Sequence, residues 1–323
     1  MTDMARGRAL ARSTALSRKG RISMTHSEQQ PWEWDERIWR GHVERVRAGR
    51  SLAPKTWPGG ARCAVAVSFD SDHETPALRD GQTSPAKLAQ GEYGARVAVP
   101  KILDMLERHR IPASFFMPAV CALLRPQEAR SYTKAGHELA IHGWIHERNT
   151  QLGAESEREL QLRAADTLEQ ISGVRPVGIR TPSWDFSAHT LSITREMGLL
   201  YDSSLMADDE PYELVEDGEA TGVVEIPVEW IRDDAPYFMM ERFGSLRPYI
   251  APRDVLRIWQ DEFAAAYAAG GLFQLTLHPH IIGHRSRLTV LDELLAHIAG
   301  HDGVWLATHR DIAEYCRAQH DQN

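Results

Sequence analysis

Two short stretches of this chain have the residue types and spacing to do chemistry. At His142-Gly-Trp-Ile-His146 two imidazoles stand four positions apart. On one helical turn both would point to the same side and could hold one metal ion. In a chain with 15 histidines such a pair also arises by chance, so it needs a partner. Ser68-Phe69-Asp70-Ser71-Asp72 supplies one, because it closes an apolar run with two carboxylates two positions apart. If the backbone stays extended, both face one side, although acids at a strand end also serve as helix caps. Two histidines and one aspartate make a facial triad with positions left open for water and substrate, as catalytic metal sites have. The second aspartate is then free to act as a base.

The elements that must hold these groups follow from hydrophobic periodicity. Short apolar runs at 64–69, 113–117, 138–141, 177–179, 199–201, 223–228, 272–277 and 304–307 read as strands. Helical patterns lie between them at 99–109, 127–135, 155–171, 188–197, 252–268, 288–299 and 310–317. This alternation suits a closed βα-barrel or an open doubly wound sheet. Asp70, His142, Arg180 and His278 each stand where an expected strand ends, which is how a barrel assembles an active site, and no glycine-rich phosphate loop follows the first strand. The expectation is therefore an α/β chain forming a distorted (β/α)7-8 barrel.

The bulk composition narrows the partners. The 323 residues carry a net charge of −8, which disfavours a nucleic acid, since phosphate binding needs a concentrated Lys/Arg surface. No run of apolar residues is long enough to predict a membrane span, and the three separated cysteines suggest neither a disulfide framework nor a Cys-based metal site. The first 21 residues carry six basic side chains and no apolar core of a secretory signal. Residues 1–30 are expected to be a disordered basic extension, residues 31–323 a single catalytic domain, and the location cytoplasmic.

Taken together, the motifs resemble the polysaccharide deacetylase (NodB-homology) family. Ser-Phe-Asp70-Ser-Asp72 resembles its first motif and His142-x-x-x-His146 its metal-binding pair, while Arg180-Thr-Pro-Ser-Trp184 and Leu277-His278 resemble two later motifs, all in family order. The resemblance implies a polysaccharide-deacetylase-like barrel and a divalent metal, usually zinc, on Asp72, His142 and His146. It also implies Asp70 as general base, His278 as general acid, Arg180 set against Asp70, and a homo-oligomer. The serine between the aspartates departs from the usual adjacent pair and leaves open which is base and which is ligand. Asp202 or Glu229 is a candidate to steady His278 or Arg180. Trp184, Glu74, His280 and Arg285 are candidates for substrate contact.

Spaced aspartates, Asp202-Ser-Ser and His278-Pro-His-Ile-Ile-Gly283 look most like a branch that includes peptidoglycan-deacetylase-like proteins, cyclic imide hydrolases and allantoinase-type enzymes. The expected function is metal-dependent hydrolysis of a non-peptide amide, first of all in a small cyclic amide such as an imide or ureide. N-deacetylation of an acetylated amino sugar is the alternative. A catalytically dead metal-binding scaffold is the alternative of another class.

Overall fold

The computed structural model describes residues 30–239 and 250–321, so the expected basic extension lies, except for Gln30, outside the described residues. The chain divides into two compact units, residues 1–42 and 43–323. In the first, the described residues form a single turn, Pro31–Glu33, and the start of the helix Glu36–Glu44. Every candidate site residue lies in the second.

That unit is built on one curled sheet. Its strands are β1 Val46–Ser51, β2 Cys63–Asp70, β3 Ala113–Met117, β4 Glu138–Ile141, β5 Gly178–Ile179, β6 Tyr201–Asp202, β7 Tyr212–Glu216, β8 Glu219–Glu225, β9 Leu272–Leu277 and β10 Val304–Ala307. They lie in the order β1-β7-β8-β6-β5-β4-β3-β2-β10, with β9 also paired to β2. From β8 through β6 and β2 to β9 and β10 the pairing is parallel; β1, β7 and β8 are antiparallel. β10 pairs with the first half of β2 and β3 with the second, while β9 runs along residues 64–69. Such staggering curls the sheet. Asp233 bridges in parallel to Thr276 of β9, so the segment after β8 returns to the sheet's far edge.

The parallel strands owe their position to burial on both faces. All eight residues of β2 are buried. Cys63, Val65, Val67 and Phe69 pack outward with Phe115, Ile141, Leu277 and the covering helices, while Ala64 and Ala66 face inward with Phe116, Ala140 and Tyr201. Each fully buried Leu, Ile or Phe of the outer layer contributes roughly 1.5–3 kcal/mol of transfer free energy. With the outer layer apolar throughout, the inner face is free to carry polar residues among its small and aromatic ones.

The strands expected at 113–117, 138–141, 272–277 and 304–307 are found at those residues. The one expected at 223–228 instead runs Glu219–Glu225, as one arm of a hairpin with β7. β1 and β7 were not expected. β1 reads Val-Arg-Ala-Gly-Arg-Ser and is largely exposed, so it has no apolar alternation to announce it and owes its conformation to pairing with β7.

Candidate active site

The period of two along β2 continues past its alanines. Ser68 and Asp70 follow Ala64 and Ala66 on the inner face, and one guanidinium nitrogen, Arg180 Nη1, donates to both Ser68 Oγ at 2.9 Å and Asp70 Oδ1 at 2.7 Å. Arg180 follows β5 and is fully buried. Its remaining donors go from Nε to the Ser203 carbonyl at 2.9 Å, and from Nη2 to Ser203 Oγ at 2.9 Å and His309 Nε2 at 3.2 Å. All five guanidinium N–H groups are therefore satisfied, which a buried cation requires.

The Ser203–Ser204 turn that receives Arg180 is itself held by acids. Ser204 Oγ accepts from Thr181 N at 2.8 Å and donates to Asp202 Oδ2 at 3.0 Å, while Glu225 Oε1 accepts from Ser204 N and Leu205 N at 2.9 and 2.8 Å. Asp202 and Glu225 are close neighbours, with Asp202 Oδ1 and Glu225 Oε2 buried and without another partner; burial pushes Asp202 up to about 6 and Glu225 well above its ordinary range. One shared proton is the natural state of such a pair.

The histidine pair is presented by a loop, which corrects the expectation of a helical turn. Gly143 and His146 have φ of 71° and 64°, in the left-handed region that breaks helical continuity. Glu147 holds the loop by accepting from Trp144 N at 2.9 and 3.0 Å and from Ile145 N at 2.7 Å. A side chain at Gly143 would meet Pro182 Cγ at 2.9 Å and Glu147 Oε1 at 3.0 Å, so the loop needs glycine for room as well as for φ. The two imidazoles still converge. His142 Nε2 lies 3.3 Å from Asp72 Oδ1, and His146 Nε2 lies 3.4 Å from Asp72 Oδ2.

The donor set fits a divalent cation. Ligating atoms of Asp72, His142 and His146 all lie within 4.8 Å of one another. His142 Nδ1 donates to the Arg180 carbonyl at 2.7 Å, so the neutral ring turns a lone pair at Nε2 toward the Asp72 carboxylate. Asp72 Oδ1 is buried without a hydrogen-bond partner. Lone pair facing carboxylate is repulsive unless positive charge lies between them. Burial raises the pKa of Asp72, but the two imidazoles, when they carry the positive charge themselves, outweigh it and hold the carboxyl well below its ordinary range. His146 imposes a condition. Arg79 Nη1 lies 2.9 Å from its Nδ1, and a guanidinium only donates, so in this pairing the proton sits on Nε2. A cation at Nε2 requires that proton on Nδ1 and Arg79 turned to the His146 carbonyl, which Nη1 already reaches at 3.4 Å.

His278 enters from the end of β9. Its Nε2 lies 3.9 Å from Asp70 Oδ2 and 3.8 Å from Asp72 Oδ2. Behind it Nδ1 meets Asp234 Oδ1 at 2.6 Å, and Asp233 Oδ1 lies 3.7 Å away. Burial lowers the pKa of His278, but Asp234 and Asp233 overcome it and hold the ring well above its usual range, in the charged form. The partner of His278 is thus Asp234. Neither Asp202 nor Glu229 has that place: Asp202 acts behind Arg180, and Glu229 accepts from Ile231 N at 2.7 Å in its own turn. The signal for Asp234 was the adjacent pair in Ile231-Arg-Asp-Asp-Ala, which no expected strand end marked.

The four candidates for substrate contact have different surroundings. Trp184 packs on Trp230 with ring centroids 4.1 Å apart, one just after Arg180 and the other just before Asp233. Trp230 is 49% exposed, so the pair presents an open aromatic face. His280 stands 6.0 Å from the His278 ring, and burial pushes its pKa down to about 3, which leaves it neutral with Nδ1 unpartnered. Glu74 is occupied otherwise: both its oxygens take the guanidinium of Arg125, one at 2.8 Å. Arg285 is exposed at the first residue of the helix Arg285–Ala299. The cysteines are free and buried, and Cys121 Sγ donates to the Asp72 carbonyl at 3.1 Å beside Thr75 Oγ1 at 2.6 Å.

Residues 91–201 match the family description "Polysaccharide deacetylase". A solved structure of a putative polysaccharide deacetylase from Mycobacterium smegmatis is 36% identical, with a TM-score of 0.77 over 85% of this chain and 96% of that one. The Puue allantoinase structure is 25% identical, with a TM-score of 0.72 over 84% and 95%. Among curated proteins, the peptidoglycan deacetylase of Helicobacter pylori is 27% identical over 72% of this chain and 88% of its own length.

Proposed function

The chain belongs to the polysaccharide deacetylase family and is a hydrolase of amide C–N bonds other than peptide bonds; from that premise we propose that it removes the acetyl group from an N-acetylated amino sugar. The observation that carries this reading is the convergence of Asp70, Asp72, His142, His146 and His278, with Asp70 backed by Arg180 and His278 by Asp234. The relatives' own names favour a sugar amide. An open Trp184–Trp230 face beside the site offers the apolar surface on which a sugar ring packs.

In this reading Asp72, His142 and His146 hold the metal, which we take to be zinc. The metal, when bound, supplies Lewis acidity that polarises the amide carbonyl and makes water a better nucleophile. Asp70 takes a proton from the attacking water, with one oxygen fixed on Arg180 and the other turned toward His142 and His278. His278 starts as the imidazolium and gives its Nε2 proton to the departing nitrogen, while Asp234 keeps Nδ1 and the ring orientation. Neutral His280 is a polar contact for substrate and cannot compete as an acid.

A second reading keeps this chemistry and changes the substrate to a small cyclic amide. Its support is the likeness to the Puue allantoinase and the depth of the site, where Asp70, Asp72 and His142 are all under 5% exposed. A panel of N-acetylglucosamine oligomers, succinimide, hydantoin and allantoin, assayed with zinc supplied, separates the two. Acetate release from the oligomers is the expected result. Turnover of the rings with no acetate release would reverse the order of the readings, and hydrolysis of none would point to a metal-binding scaffold.

A further inference from the structure

The inner face of the barrel is polar well below the site. Ser68, Ser114, Glu138, Gln274 and Thr276 alternate with outward apolar residues on four strands, and all are at most 3% exposed. Among them lies His309, fully buried just after β10, with its ring 5.2 Å edge-on to Phe116. None of the catalytic roles above uses it.

The hydrogen-bond directions here admit one reading. Arg180 can only donate, so His309 Nε2, 3.2 Å from Arg180 Nη2, must present a lone pair. The ring proton then sits on Nδ1, which meets Ser114 Oγ at 3.1 Å. Ser114 Oγ is thereby an acceptor toward His309, from its ring and from its backbone N at 2.8 Å, and spends its own proton on Glu138 Oε2 at 2.6 Å. Glu138 ends the chain by also accepting from Tyr201 OH at 2.8 Å and Arg310 N at 3.0 Å. From Arg180 Nη2 through the His309 ring and Ser114 Oγ, each donor points on toward Glu138. An imidazolium at His309 would put an N–H against the guanidinium; burial and the Arg180 charge both keep the ring neutral.

We propose that His309, locked as the neutral Nδ1–H tautomer by Ser114 and Glu138, is a positioning residue that receives Arg180 from below and so sets the angle at which Arg180 holds Asp70. The proposal rests on Asp70 as the base. Without the His309 acceptor, one buried N–H of Arg180 loses its partner and the guanidinium is free to turn toward another, taking Asp70 with it.

The test combines a spectroscopic and a kinetic arm on the full, zinc-loaded chain. With 15N-labelled histidine, the His309 resonances, assigned by their loss in His309→Gln, should show a protonated Nδ1 and an unprotonated Nε2 throughout pH 6 to 8.5. A protonated Nε2 would overturn the proposal. For acetate release from the N-acetylglucosamine tetramer, His309→Leu should lower kcat about tenfold or more, with KM and zinc content within about twofold of wild type. His309→Gln, whose amide oxygen can accept from Arg180, should recover most of that loss. Equal loss in both variants, or a loss that follows zinc content or melting temperature, would also overturn it. The spectroscopic arm needs no turnover, so a wild-type chain that leaves the tetramer intact would strike the proposed substrate, while the tautomer still decides the relay.

Discussion

Three of the five convergent side chains are fixed by distinct groups, and this separates their roles experimentally. His142 is oriented by the Arg180 carbonyl, Asp70 by the Arg180 guanidinium, and His278 by Asp234. Replacing Asp72, His142 or His146 by Ala should remove most bound metal, because one of three ligands is lost in each case; elemental analysis of the purified variants reads this directly. Full metal content in all three would refute the ligand set. Asp70→Asn and His278→Ala should keep the metal and lose roughly 10²-fold or more in kcat. With an activated leaving group that departs unprotonated, His278→Ala should regain much of its rate and Asp70→Asn should not, since only the acid step is bypassed. Metal loss in Asp70→Asn but not in Asp72→Asn would mean that the two aspartates exchange duties across Ser71.

At the scale of elements, the β6 and β8 ends act as one unit through the buried Asp202–Glu225 pair. Asp202 is pushed up from 3.8 to about 6, mainly by burial. A carboxyl whose pKa is raised by folding stabilises the fold while pH is below its unfolded value and loses that contribution as pH rises through the folded one. Stability should therefore fall as pH rises from about 4 through the raised Asp202 value near 6. In Glu225→Gln the amide oxygen can still accept from Ser204 N and Leu205 N, and the amide nitrogen can donate to Asp202 in place of the shared proton. Its melting temperature should therefore vary less with pH over that interval. An unchanged slope would show that the pair does not share a proton. Elements whose conformation depends on such distant partners were the ones least visible beforehand: the loop at 142–148 needs Glu147, Pro182 and the Arg180 carbonyl to define it.

For the molecule as a whole, the site belongs to the unit of residues 43–323, where parallel strands bring their C-terminal ends to one rim. No helix among the described residues is long and apolar enough to cross a membrane. The first 24 residues carry six basic side chains and no apolar periodicity with which to join a core. Deleting them should leave melting temperature and turnover nearly unchanged; a large fall in either would assign that segment a structural role. The relatives put the sugar amide ahead of the cyclic amide, which is the reverse of the order that the motifs alone suggest.

What the sequence determined by itself was the set of strand ends that carry the candidate site residues. Asp70, His142, Arg180 and His278 could be read because each ends or directly follows a short buried run whose outward residues are apolar, so an ionisable group at that place stands out against the short-range pattern. The register of β2 was legible for the same reason, with Ser68 and Asp70 two apart. Tertiary structure alone decided the partners. Asp234 reaches His278 across 44 positions of chain, and Ser203 and His309 reach Arg180 across 23 and 129. Glu74, which looked available in the motif, is consumed by Arg125. A hydrogen bond between distant residues leaves no periodicity in either segment, because its strength depends on a separation and an angle that exist only once the sheet has curled.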